Sequence, residues 1–69
     1  MKICWRNGFS IKVDANENEV VISANKEGLL SLAEICNALA NSDVEGEHIH
    51  LDQYSSLESG SAELVIERI

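Results

Sequence analysis

The sequence predicts an α+β fold, a two-layer sandwich of one helix on a mainly antiparallel sheet of about five strands, in the order β-β-β-α-β-β. Three observations lead there. An apolar period of 3.6 residues runs through one stretch only, between Asn25 and Asn41, so one helix is expected. Strand-like runs flank that stretch, three before it and two after it. A chain of 69 residues has room for one modest core, and a helix laid across a sheet is the economical way to bury both apolar faces. Residues 1–69 are therefore read as a single domain.

The first strand is expected at Lys2–Arg6, with Ile3 and Trp5 on one face. Asn7-Gly8 is a turn dipeptide of the type I′ kind, which needs positive φ at both positions. Phe9, Ile11 and Val13 then alternate with Ser10 and Lys12 as a second antiparallel strand. Trp5 is placed in the core with Ile3, Phe9 and Ile11, against the alternative of an outward-facing contact residue. Asp14–Glu19, DANENE, is turn chemistry. Val20–Ala24 hardly alternates, which predicts a third strand that is central or buried on both faces.

Asn25 is a good helix N-cap, and Glu27 in the first turn suits the dipole. Leu29, Leu32, Ala33, Cys36, Leu39 and Ala40 form the expected buried stripe, with Ile35 at its edge. Glu27, Ser31, Glu34, Asn37 and Asn41 fall on the opposite side, and Leu30 points away from the stripe. An acidic loop, Asp43–Glu47, leads to His48–Asp52, where Ile49 and Leu51 face inward and His48, His50 and Asp52 share the outer face. The polar loop QYSSLESGS follows, interrupted only by Tyr54 and Leu57. The last strand, Ala62–Ile69, sets Ala62, Leu64 and Ile66 against Glu63, Val65 and Glu67.

Charge narrows the function. Twelve acids against five bases give a formal net charge of −7. Such a surface repels phosphate backbones, so no nucleic-acid partner is expected. It attracts a basic protein surface and speeds its capture. The N-terminus lacks the basic and apolar regions of a secretory signal, and no apolar run is long enough to span a bilayer. Two cysteines do not make a secreted disulfide framework, so a reduced, cytoplasmic protein with no membrane association is expected.

The sharpest chemical pattern is His48-x-His50-x-Asp52. Three potential ligands on one strand face, with Glu63 or Glu67 from the neighbouring strand, are one way to hold a divalent metal. Strand neighbours of this spacing lie roughly 6.5–7 Å apart at the backbone, which does not by itself make them converge on an ion. The preferred reading is polar strand residues that face solvent or contact a partner, with no metal and no cofactor. Catalysis is weaker still. Cys36 lies within the predicted stripe as a packing thiol, and closeness in sequence does not make Ser55, His50 and Asp52 a triad. No enzyme is expected.

With Trp5, the SANKEGLLSLAE entry to the helix and the run HIHLDQYSSLESGSAELVIE in view, the sequence resembles the immunity protein 32 family of bacterial polymorphic toxin systems. The resemblance covers nearly the whole chain and is densest from Ala24 to Glu34 and from His48 to Glu67. The shared pattern is a histidine-bearing strand, a polar residue after Leu51 and a polar turn before the final strand, carried here by His48, His50, Asp52, Ser55, Ser56 and Gly60. It implies a small α+β protein that protects its producer by binding and neutralising a cognate toxin. The expected contact surface is His48, His50, Asp52, Tyr54 and Glu58, with Glu63. The alternative is a non-catalytic metal-binding or self-associating module, in which an edge strand or the outer sheet face pairs with a second copy to form a homodimer.

Overall fold

In the computed structural model, which describes residues 3–69, the chain forms four strands and one helix. They are β1 (Ile11–Ala15), β2 (Val20–Ala24), α1 (Lys26–Ala40), β3 (His48–Leu51) and β4 (Leu64–Glu67). β1 and β2 pair antiparallel with Ile11 opposite Ala24, and β3 and β4 pair antiparallel with His48 opposite Glu67. The class is α+β as expected, but the five-stranded sheet in the order β-β-β-α-β-β is not formed. Two separate two-stranded sheets stand in its place.

The missing strand is the first one. Residues 3–6 form no strand, and Lys2 lies outside the described residues. The cause is the turn. The Phe9 amide donates to the Arg6 carbonyl at 3.1 Å, and Gly8 has φ +81°, but among the described residues only glycines take positive φ. One positive φ at the third position is the signature of a type II turn, which splays flanking strands where type I′ would pair them. The chain before the turn goes to the helix instead. The Arg6 amide donates to Ser31 Oγ at 2.9 Å, and its guanidinium Nε to Glu34 Oε1 at 2.9 Å. Both partners of that ion pair are about 45% exposed, so it is worth a few tenths of a kcal/mol to about 1 kcal/mol. The bond to Ser31 is the positioning contact.

The two sheets are joined by residues 58–62. The Glu58 amide donates to the Ile11 carbonyl and the Ala62 amide to the Val13 carbonyl, each at 2.8 Å. Both segments advance in the same direction, so this stretch runs parallel to β1 and covers the edge that β2 leaves open. It is no regular strand, because Gly60 has φ +85° and the Val13 amide finds the Ser61 hydroxyl, at 3.1 Å, where a ladder would offer a carbonyl. The order across the molecule is thus β2, β1, the 58–62 run leading into β4, and β3.

The helix buries a different face from the one its apolar residues predict. Gly28, Ser31, Ile35 and Leu39 are buried, whereas Leu29, Ala33, Cys36 and Ala40 are exposed. Ile35 is central rather than marginal. Close approach decides the rotation. A Cβ on Gly28 would lie 2.4 Å from the Ser10 carbonyl oxygen and 2.9 Å from Ile11 Cγ1, so this helix turn lies against the start of β1 with no room for a side chain. The core is Ile11, Val13, Ile35, Leu39, Ile49, Leu51 and Leu57. Trp5 is half-buried against it and stacks on Phe9, with ring centroids 4.6 Å apart.

β2 is also unlike its expectation. In place of a buried central strand, Val20, Val21 and Ile22 are 62%, 41% and 42% exposed. Among the described residues no strand lies beyond β2 in the strand order, and the Gly28 turn of the helix meets the sheet at Ser10, Ile11 and Ala24. The helix C-terminus has no basic residue in its last turn, but Arg68 reaches it from beyond β4. Its Nη1 donates to the Ser42 carbonyl at 2.7 Å and to the Ala40 carbonyl at 3.3 Å, placing a cation at the negative end of the dipole.

Gly28→Ala tests this packing because two effects oppose each other. Helix propensity favours alanine by about 1 kcal/mol, whereas overpacking against backbone costs about 1–3 kcal/mol. The contact at Ser10 is backbone and cannot rotate away, so chemical denaturation should show net destabilisation. Ser61→Ala should also destabilise the fold by about 1–3 kcal/mol, because it leaves the buried Val13 amide without an acceptor. An equilibrium unfolding curve checks it.

Candidate interaction surface

Alternation along β3 sets the site. Ile49 and Leu51 are buried, and His48 and His50 are exposed, as the sequence pattern requires. The register places Glu67 opposite His48 and Val65 opposite His50, so these four side chains share one open face of the β3–β4 sheet. Glu63 joins them from just before β4, its Oε2 lying 3.2 Å from His50 Nδ1. His48 Nδ1 donates to the Gly46 carbonyl at 2.9 Å, which orients that ring. The two imidazoles meet edge to face with centroids 5.1 Å apart.

The remaining predicted residues take other places. The Asp52 carboxylate is engaged by the chain that follows it. Its Oδ1 accepts from the Tyr54 amide and the Ser55 hydroxyl, each at 3.0 Å, and its carbonyl accepts from the Leu57 amide at 2.8 Å. It is the residue that winds the turn after β3. Tyr54 is carried outward on that turn and is 89% exposed, while Leu57 goes into the core. Glu58 is exposed at the start of the run along β1. The structure therefore brings His48, His50 and Glu63 together and sets Tyr54, Asp52 and Glu58 along the chain that leaves that face.

This arrangement bears on the chemical alternatives. With Asp52 committed to its turn, the three-ligand set His48, His50 and Asp52 does not converge. Among the described residues no group of three or more His, Cys, Asp or Glu side chains is placed to hold a metal ion. Ser55 pairs with Asp52, whereas His50 pairs with Glu63, so the Ser–His–Asp grouping does not assemble. Cys36 is exposed instead of packed, as is Cys4, and both are free thiols.

The face is acidic as well as open. Glu63 and Glu67 lie on it, and Asp43, Glu45 and Glu47 line the loop that leads into β3. Three of the bases are engaged elsewhere: Arg6 with Glu34, Lys12 with Asp14 at 2.9 Å, and Arg68 with the helix end. The Ser42 hydroxyl holds the Glu47 carboxyl below its ordinary range, so this acid stays charged as pH falls further than an isolated glutamate would.

Sequence reasoning did not single out Val65, although its position opposite His50 follows once the register is known. It also missed the exposed apolar flank of α1, whose Cys36 and Ala40 line a groove of about 280 Å³ with Ile66 and Ile69. No helix among the described residues is long and apolar enough to cross a membrane.

Residues 19–69, well over half of the chain, match the family described as immunity protein 32. The chain belongs to the immunity protein 32 family. No curated protein and no solved structure matches it. In this immunity protein 32 family member the matched region begins just before β2 and includes every residue of the outer β3–β4 face, but leaves β1 and the Trp5 segment outside.

Ser42→Ala should raise the Glu47 pKa toward the ordinary glutamate value, which an NMR titration of its side-chain carboxyl would record. The sign follows from linkage. A carboxyl lowered in the folded state stabilises the fold above its unfolded pKa and loses that contribution as pH falls through the folded value. The variant should therefore be less sensitive to acid in this range than the parent chain.

Proposed function

We propose that the chain is a small cytoplasmic immunity protein that binds a cognate toxin of a polymorphic toxin system and blocks it stoichiometrically, without catalysis and without a cofactor. Membership of an immunity protein family supports the class of activity. The observation that carries the surface is the open β3–β4 face, where His48, His50, Glu63 and Glu67 lie together with no lysine or arginine among them. A negative, uncovered face of this kind fits a basic protein surface, and long-range attraction raises the rate of encounter. Tyr54, almost fully exposed beside it, supplies the apolar contact that short-range affinity needs, since buried aromatics dominate interface energetics. Asp52 contributes by holding the turn that presents Tyr54, and Glu58 extends the negative field.

The test first asks whether a large secreted protein is encoded beside this chain, and takes its C-terminal domain as the candidate toxin. The double variant Glu63→Lys, Glu67→Lys should slow association about tenfold at low salt, with the difference shrinking as ionic strength rises. Tyr54→Ala should leave association nearly unchanged and speed dissociation. An unaltered association rate in the charge-reversal variant would remove the steering role, and absence of any complex would remove the proposal.

A further inference from the structure

We propose that the free edge of β2 pairs antiparallel with the β2 of a second copy, giving a two-fold dimer centred on Ile22. The backbone accounting comes first. The ladder between β1 and β2 is closed at its ends by the Asn16 amide on the Glu19 carbonyl, 3.0 Å, and the Asn25 amide on the Ser10 carbonyl, 3.1 Å. Hydrogen-bonded pairs alternate in an antiparallel ladder, so between these ends they are Lys12 with Ser23 and Asp14 with Val21. The amides and carbonyls of Val20, Ile22 and Ala24 therefore point to the other side. On β1 the Ile11 and Val13 carbonyls and the Val13 amide are taken up by residues 58–62. Those of β2 meet no element of this chain among the described residues.

Proteins usually blunt such an edge with a charge, a proline or a bulge. Val20–Ala24, VVISA, has none of these, and its valines and isoleucine are exposed. The sequence also complements itself. Pairing about Ile22 sets Val20 against Ala24 and Val21 against Ser23 of the other copy, large against small on both faces, with Ile22 against its own equivalent. No charge is brought into register along the strand, despite a chain charge of −7. At each end Glu19 falls across from Asn25 and one residue from Lys26 of the other copy, so the nearest charges are opposite. The free edge of β3 offers no such match, because its outward residues are His48 and His50 and acidic residues flank it.

Area agrees with a small interface. The accessible surface is 4794 Å², against about 4300 Å² expected for a folded monomer of 7.6 kDa, an excess of roughly 500 Å². A standard interface covers about 800 Å² on each partner, so the dimer is a concentration-dependent equilibrium and not a permanent assembly. β2 and β3 stand at opposite ends of the strand order, so the pairing leaves both acidic faces open.

Sedimentation velocity on the chain alone, from micromolar to millimolar, tests this without any toxin present. The expected result is a monomer–dimer equilibrium that Ile22→Lys weakens about tenfold or more, since it sets two like charges opposite each other. Ile22→Pro should do the same, because it deletes an outward amide that β1 does not use. Circular dichroism of both variants at low concentration should match the parent chain. Independently of any variant, exchange of the Val20, Ile22 and Ala24 amides should slow as the parent chain is concentrated. A chain that stays monomeric to millimolar, variants that dimerise like the parent, or exchange that ignores concentration would each overturn the proposal.

Discussion

The side chain of Asn25 is the joint on which the two layers hang. Its Oδ1 accepts from the Gly28 amide at 2.8 Å and from the Ser10 amide at 3.0 Å, while its Nδ2 donates to the Gly8 carbonyl at 2.9 Å. One amide group thus caps the helix, fixes the start of β1 and holds the turn that redirects the N-terminal segment. Asn25 also follows β2 directly, so strand and helix are joined with no intervening loop. The direction of the helix is set at this point. Everything packed beneath it, from Ile11 to Leu39, inherits that direction.

Once the helix starts there, Gly28 and Ser31 must face the sheet, and the rest of its buried face follows at helical spacing through Ile35 to Leu39. A buried serine in this place is not a loss, because its hydroxyl accepts the Arg6 amide. The far end is held as firmly, by a guanidinium from after β4 on the last carbonyls. The far end is therefore fixed by a residue distant in sequence, and the near end by Asn25 together with the Gly8–Ser10 segment it ties down. Together they account for how so few apolar side chains hold one defined arrangement.

Much of this was legible in the sequence, for reasons that differ by element. The histidine strand was clear because period two admits only two faces, and Ile49 and Leu51 settle which is inward. The N-cap was clear because its chemistry is local. The helix face was misjudged because hydrophobicity counts Leu29 and Cys36 as core and Ser31 as surface, whereas close packing rewarded the smallest residues. The five-stranded sheet failed at Asn7-Gly8, where the dipeptide announces a turn but not its type. Weak alternation in Val20–Ala24 points to a central strand or one buried on both faces, and no local signal says that a neighbouring strand is missing. Of the residues proposed for partner contact, the structure brings His48, His50 and Glu63 together. Asp52 was placed on that face by alternation, and its carboxylate went to the local turn instead.

The layout of the core has one more consequence. Ile11 and Val13, the apolar residues most completely shielded from water, belong to β1, and β1 lies ahead of the region shared with the family. Neighbours bind it on both sides, β2 along one edge and residues 58–62 along the other. A fragment trimmed to the family boundary would keep its caps, its helix and its histidines, yet lose the plank that spans the middle of the floor. Boundaries drawn by sequence likeness and boundaries drawn by autonomous folding do not coincide in this chain.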